Sequence, residues 1–423
     1  MKSKAFFPER YKMVFGTFVL AMIVLFDRIL LSVAKDPVAE SLQLNDKQMG
    51  WAMSIFALGY ALFQTPAGLL ADKYGPRKIL TAVVGLWSLF TALTGAAWNY
   101  ISLLIVRFIF GAGEAGAFPG MARAIYRWIP LQERGIVNGI NFSGGRIGAA
   151  IALPAVAGLM ELFGWRMTFV ILGLVGMLWG IAWYLWFRDD PRNHKGIATS
   201  ETNFIIANTE KEVEDATQSQ IQVAKLFRSK TMWLLMGQYF SSNFTFFFCL
   251  TWLFPHVKAK YNLDALEAGY FASAPLISGA LGNWFSGFLV DYIYKKNKMT
   301  LSRKLPAIIG FLLASVGIIA GAYMETVTPA IIFISIAVFG ADMTLSPSWS
   351  ACVDVGRRFS GAVSGTMNMA GNIGSFLTAL AFPYLLDMTG SEIPFFYLAA
   401  ILNIIAITLW LGVKPQRPLD LTR

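Results

Sequence analysis

Gly68-Leu-Leu-Ala-Asp72 closes one long apolar run, and Gly287-Phe-Leu-Val-Asp291 closes another in the second half of the chain. Lys73, Arg77 and Lys78 follow the first; Lys295, Lys296 and Lys298 follow the second. An apolar run of ~20 residues ending in a charged turn reads as a helix leaving a bilayer. Counting outward from these two gives twelve such runs: 11–34, 49–71, 79–98, 100–126, 135–160, 166–187, 231–254, 266–291, 304–325, 328–352, 358–388 and 393–413, numbered here helix 1 to helix 12. The two echoing segments end helices 2 and 8, each the second helix of a group of six. The repeat is therefore in register, and two six-helix halves in parallel repeat are a transporter architecture.

Composition agrees. Of 423 residues, 56% are hydrophobic and 14% charged, against about 25% charged in soluble chains. Disorder, collagen, coiled coil and disulfide scaffolds are excluded, and an ordinary soluble enzyme is not expected. Alternating segments of ~10 residues are absent, so a β-barrel is excluded too.

The net charge of +10 would suggest nucleic acid in a soluble protein. Its placement gives another reason. Of 35 Lys and Arg, 26 fall on the side that holds the N-terminus, five on the other, and four (Arg28, Arg107, Arg123 and Arg146) within helices. This asymmetry places both termini in the cytoplasm. The first apolar run is too long for a signal-peptide core and lacks a small-residue cleavage site, so it is expected to stay as helix 1. Residues 1–188 form the expected N-terminal half, 189–230 a polar cytoplasmic linker with one surface helix, and 231–423 the C-terminal half. Cys249 and Cys352 read as small core residues, and His194 and His256, without metal spacing, as surface histidines. No metal site is expected.

Gly68-Leu-Leu-Ala-Asp-Lys-Tyr-Gly-Pro-Arg-Lys78 resembles the helix 2–3 loop motif of the major facilitator superfamily, a resemblance that covers the whole chain. A narrower one follows: Asp27-Arg28-Ile-Leu-Leu-Ser-Val-Ala34, Gly50-Trp51, Tyr60-Ala-Leu-Phe-Gln64 and Arg107-Phe-Ile-Phe-Gly-Ala-Gly-Glu-Ala-Gly-Ala-Phe-Pro119 are similar to the anion:cation symporter family, which includes bacterial galactonate, glucarate and hexuronate permeases and animal sialin-type transporters. The implied fold is all-α, twelve membrane helices in two halves. Gly68, Asp72, Gly75 and Arg77 would form a conformational latch, with Asp72 accepting hydrogen bonds from the start of helix 3 and the basic residues reaching other helix ends.

Ionisable residues inside a bilayer are expensive and face a cavity or a partner. Asp27, Arg28, Arg107, Glu114 and Arg146 stand out. Arg107 and Glu114 share a helix face two turns apart, and Asp27 and Arg107 lie at similar depth and could pair. Protonating both acids makes the cluster more positive and favours an anion, which is the arithmetic of proton–anion symport. Static ion pairing between helices is the alternative. The resemblance implies that acids at Asp27 and Glu114 carry protons, that Arg28 contacts a substrate carboxylate, that Arg107 couples substrate to protonation, and that Tyr60 lines the site.

The chain departs from the galactonate-type pattern at Gly145 and Arg146, where a glutamine and an aromatic are expected. Glycine opens space, and arginine adds a bidentate carboxylate donor. A substrate larger or more anionic than galactonate is therefore expected, unless Arg146 pairs with Asp342 or Glu114 instead. The second half would supply an uncharged wall from Asn243, Ser346, Ser348, Trp349, Asn368 and Asn372, with Pro347 breaking helix 10 locally. Asp342 reads as a structural partner, with a third proton site as the other reading.

The sequence thus points to a bacterial inner-membrane symporter importing a sugar acid or other carboxylate with protons, monomeric, with no cofactor, no enzyme activity and no nucleic-acid partner. An exchanger or exporter of organic anions, a phosphate carrier, or a non-transporting sensor are the competing readings.

Overall fold

The computed structural model describes residues 8–209, 223–263 and 265–420. Among them every regular element is helical, and eight helices are long and apolar enough to cross a membrane by length and composition. The long helices are Glu9–Val33, Asp46–Tyr74, Pro76–Thr94, Tyr100–Glu114 continued by Ala117–Trp128, Arg134–Trp186 broken at Gly164, Lys230–Thr251 continued by Leu253–Lys260, Ala265–Lys295, Met299–Ala322, Val327–Met343 continued by Leu345–Gly356, Ser360–Thr389 and Ile393–Gly412. With the break at Gly164, whose φ is 71°, these are the twelve expected helices. The chain is an all-α membrane protein with two groups of six.

Close contacts divide the chain into two compact units. The first holds 1–131, 147–213 and 358–366; the second holds 132–146, 214–357 and 367–423. Each unit takes most of one half and a short piece of the other. The first unit's core gathers Leu30, Leu31, Ala52, Leu103, Val156 and Phe169, all at most 1% exposed. The second unit's core is aromatic, built on Phe244, Phe248, Phe382, Phe395 and Phe396. Large apolar side chains such as Leu62, Leu178, Phe288, Tyr384 and Leu411 remain exposed, as a bilayer-facing surface requires.

Helices 2 and 4 approach closely because each presents a glycine to the backbone of the other. A Cβ at Gly59 would collide with the Phe108 carbonyl, and one at Gly111 with the Phe56 carbonyl. Small residues at such crossings let helix backbones meet.

The first part of the linker, 189–213, belongs to the first unit and the rest, with the short helix Val223–Arg228, to the second. The first part forms the expected helix at Thr199–Asn208. Glu201 accepts hydrogen bonds from the backbone N–H groups of Glu9 and Arg10, both at 3.0 Å, and so caps helix 1. His194, expected at the surface, is 8% exposed and meets Trp128 and Trp186 edge-on. His256 likewise lies half-buried against Phe248, Phe382 and Phe396. Both depart from the sequence reading: Trp186 and Phe248 precede them by only eight residues, but Trp128, Phe382 and Phe396 come from far along the chain.

Candidate functional site

Helix 4 places the first cluster. Tyr100–Glu114 ends where Ala115 and Gly116 interrupt it, and Ala117–Trp128 resumes with Pro119 inside its first turn. A proline removes one backbone donor and frees the carbonyl four residues before it. Glu114 is thus the last residue of a broken helix. It is fully buried.

Arg28 of helix 1 reaches it. Nε donates to Glu114 Oε1 at 2.6 Å, and Nη2 lies 2.5 Å from the same oxygen. Both contacts use Oε1, and among the described residues the buried Oε2 has no hydrogen-bond partner. The Arg28 side chain keeps 21% exposure while that of Glu114 has none. The arginine side chain is therefore half-buried, with Nη2 itself buried, and the acid is sealed behind it. Its carbon stands 4.4 Å from the Tyr60 ring centre and 5.4 Å from that of Phe56. Phe56 also lies 5.4 Å from the Arg107 guanidinium, which sits 4.5 Å over Phe110. Aromatic faces hold cations where water is scarce.

Asp27, 1% exposed, accepts from the indole Nε1 of Trp87 at 3.1 Å. The suggested Asp27–Arg107 pair is not formed: Trp87 on helix 3 takes the Asp27 carboxylate instead. Asp27, Arg28, Tyr60, Arg107 and Glu114 are nevertheless all in the first unit, as the sequence reading groups them. Trp87 and Phe56 are not legible in the sequence, because an aromatic within an apolar run carries no signal of its own. Gln64, one turn beyond Tyr60, is fully buried, and neither polar atom of its amide has a hydrogen-bond partner among the described residues.

The second unit holds another acid–arginine pair. Arg146 grips Asp342 with two parallel bonds, Nε to Oδ2 at 2.9 Å and Nη2 to Oδ1 at 2.7 Å. Asn283 also donates to Oδ2, at 3.2 Å. The Arg146 guanidinium carbon lies 3.6 Å from the Phe246 ring centre. Of the two partners that the sequence allowed for Arg146, the structure selects Asp342 over Glu114.

The wall residues divide. Trp349 donates its indole N–H to the Tyr239 hydroxyl at 2.9 Å and is 2% exposed. Ser346 donates to the Gly135 carbonyl, and Ser348 shares its one O–H between the Thr344 carbonyl and Gln238 Oε1. Both hydroxyls are thus committed to the protein. Asn243 and Asn372 are half-buried, each donating to a carbonyl one turn earlier, of Tyr239 and Asn368 respectively. Helix 10 breaks at Thr344, three residues before Pro347. The carbonyl of Met343, which Pro347 cannot serve, accepts from Ser286 Oγ.

The expected latch is present with a different partner. Asp72 accepts from the N–H groups of Gly361 at 2.9 Å and Ala362 at 2.7 Å, at the start of helix 11 and not of helix 3. A Cβ at Gly68 would collide with the Gly361 carbonyl, so glycine there lets helix 2 reach helix 11. Helix 3 is capped by Asp189, which accepts from Arg77 N at 2.8 Å. Gly75, at φ 82°, makes the turn between them. The Arg77 side chain bonds the Tyr184 carbonyl at 2.9 Å and covers the Tyr184 ring. In the second unit Asp291 repeats the arrangement, accepting from Gly135 N at 2.9 Å and Ile136 N at 2.7 Å.

The comparisons with known proteins agree with this architecture. The family model described as Major Facilitator Superfamily matches residues 17–379. A probable sulfoacetate transporter of Cupriavidus necator is 31% identical over 93% of this chain and 92% of its own length. A probable galactarate/D-glucarate transporter of Escherichia coli is 32% identical, over 89% and 88%. A hexuronate transporter of Bacillus subtilis is 28% identical, over 95% and 94%. Among solved structures, a proton:xylose symporter matches with a TM-score of 0.75 at 14% identity, covering 97% of this chain and 98% of its own, a likeness of fold alone. The chain is a multi-pass membrane transporter and not an enzyme, and it belongs to the major facilitator superfamily, where its relatives by sequence are permeases of the anion:cation symporter type.

Proposed function

We propose that this protein imports an organic anion, a sugar acid or related carboxylate or sulfonate, together with protons by alternating access across a bacterial inner membrane, with both termini in the cytoplasm. The observation that carries the reading is the Arg28–Glu114 pair: a partly exposed arginine side chain backed by a sealed carboxylate whose Oε2 lacks a hydrogen-bond partner among the described residues. A buried acceptor left unpaired costs about 1–3 kcal/mol. A proton on Oε2 makes it a donor and cancels the charge that holds Arg28. The guanidinium is then free to take a substrate carboxylate with its fork of N–H donors.

Charge counting supports coupling. With Asp27 and Glu114 ionised, they balance Arg28 and Arg107. Protonating both acids leaves two positive charges, which an anion neutralises. Release of the anion then favours release of the protons. Relatives named for galactarate/D-glucarate, hexuronate and sulfoacetate suggest that the substrate is an acid of this kind. The driving force is the proton gradient, without a cofactor, and the monomer suffices.

Purified protein in liposomes with an external pH dye, offered aldonates, hexuronates, aldarates, small dicarboxylates and sulfoacetate, tests this. External alkalinisation with one class is expected. Asp27→Asn and Glu114→Gln should each cut uphill uptake at least tenfold while counterflow survives, and Arg28→Ala should remove binding. Normal uphill uptake in both acid variants would overturn the proton assignment. Counterflow without proton movement in the wild type would make the protein an exchanger.

A further inference from the structure

Helix 2 carries a sealed amide that bonds nothing. Gln64 is 0% exposed, and among the described residues neither Nε2 nor Oε1 has a hydrogen-bond partner. Its surroundings do supply partners to others: Thr65, the next residue, shares a hydrogen bond with the Thr366 hydroxyl at 3.1 Å. Gln238 on helix 7, equally buried, shows a structural glutamine in this protein. Its Nε2 donates to the Leu235 carbonyl at 3.0 Å, and its Oε1 accepts from Ser348 Oγ at 3.0 Å and Trp410 Nε1 at 3.1 Å. A buried amide left unserved is costly and calls for a reason. Methionine or leucine would fill similar space without that cost.

The place of Gln64 supplies one. It stands one turn from Tyr60, whose ring centre lies 4.4 Å from the Arg28 guanidinium carbon. Positions four apart share a helix face, and a long helical side chain leans over the preceding turn, here the turn of Tyr60. All three residues belong to the first unit. One helical turn rises about 5.4 Å, and an extended six-carbon chain spans about 6 Å at ~1.5 Å per bond. A chain whose carboxylate sits on Arg28 thus reaches the level of Gln64. A carboxamide offers two N–H donors and one acceptor oxygen. A hydroxyl both donates and accepts, so a pair of hydroxyls serves both ends of the amide. A carboxylate or sulfonate only accepts and leaves Oε1 without a donor. We propose that Gln64 is a specificity-determining residue of the transport site, whose amide binds hydroxyls on the carbon chain that Arg28 holds by its carboxylate. The amide is closed off in the structure, where Arg28 is paired with Glu114, so the chain meets it as that pair parts.

This deepens the transport reading and rests on it: the preferred substrate is hydroxylated along its chain. The test is uptake into proteoliposomes of glucarate, galacturonate, adipate and sulfoacetate. Glucarate and adipate share a six-carbon chain with a carboxylate at each end and differ in the hydroxyls alone. The wild type should favour glucarate or galacturonate over adipate, which is followed as a substrate or as a competitor. Gln64→Met should raise the KM of the hydroxylated acid about tenfold or more. It should leave the KM or inhibition constant of adipate within about threefold and the proton-to-substrate ratio unchanged. Without substrate the variant should melt no lower than the wild type, since a thioether replaces an unserved amide. Gln64→Leu gives the same readouts if the methionine variant does not fold. Equal losses for the hydroxylated acid and adipate, or lower melting temperatures in both variants, would mark Gln64 as a packing residue and overturn this inference alone. So would a wild type that carries adipate or sulfoacetate and neither hydroxylated acid. A wild type that moves none of these acids and no aldonate would overturn the transport reading and this inference with it.

Discussion

At the residue scale, buried charge in an apolar run is the most legible signal in this sequence. Asp27, Arg28, Arg107, Glu114 and Arg146 interrupt runs of Leu, Ile, Phe and Val, and a bilayer tolerates them only with partners. Their partners were less legible. Trp87 looks like any membrane tryptophan until its indole N–H is seen at Asp27, 3.1 Å away. A hydrogen bond to a charged group contributes about 1.5–3 kcal/mol. Trp87→Phe is therefore expected to lower thermal stability in detergent by that order and to cut uphill uptake less than Asp27→Asn does. Equal stability of variant and wild type would mean that the indole bond is incidental. Ser346 and Ser348 show the converse. Their mid-depth positions read as a ligand wall, but a hydroxyl in a helix finds a nearby carbonyl easily, and both have done so.

At the element scale, helix number and order followed from hydropathy, because an unsatisfied backbone cannot cross lipid. What hydropathy could not give was the element a helix end would meet. Asp72 was expected to cap helix 3 and instead caps helix 11, while the linker's Asp189 caps helix 3. Capping needs only a carboxylate and an open backbone N–H, and any part of the chain can supply either. The short helix Leu253–Lys260 gives a pH prediction. Burial among Phe248, Phe382 and Phe396 pushes His256 down to about 4; Lys260 acts in the same direction and Glu392 against it. An unfolded chain takes this proton near pH 6.5 (about the ordinary histidine value), and the folded chain refuses it until about pH 4. The contribution to stability is therefore full above about pH 6.5 and falls as pH drops toward 4, by up to about 3 kcal/mol. Melting temperature should decline over that window in the wild type and decline less in His256→Phe. Parallel curves would show that another group titrates there.

At the scale of the whole molecule, the sequence repeat is a repeat of contacts. Gly68-to-Asp72 and Gly287-to-Asp291 each end a helix in a carboxylate that receives two N–H groups from a helix start far along the chain. A helix N-terminus favours negative charge. Asp72→Asn and Asp291→Asn should therefore each lose about 1–3 kcal/mol, measured by thermal melting. The carboxylates share no hydrogen-bond partner, so the double variant is expected to lose the sum. A coupling energy above about 0.5 kcal/mol would show that one unit senses the other.

The same two carboxylates differ in when they can be satisfied. Asp72 precedes Gly361 by 289 residues. A ribosome adding about 5–20 residues per second needs roughly 15–60 s to cover that distance. Throughout that time the nascent first unit sits in the bilayer with its latch acid unmatched and residues 358–366 not yet made. Asp291 never waits, since Gly135 and Ile136 emerge long before it. Biogenesis is therefore lopsided in a molecule whose finished contacts are twofold, and the early half is the one exposed to quality control.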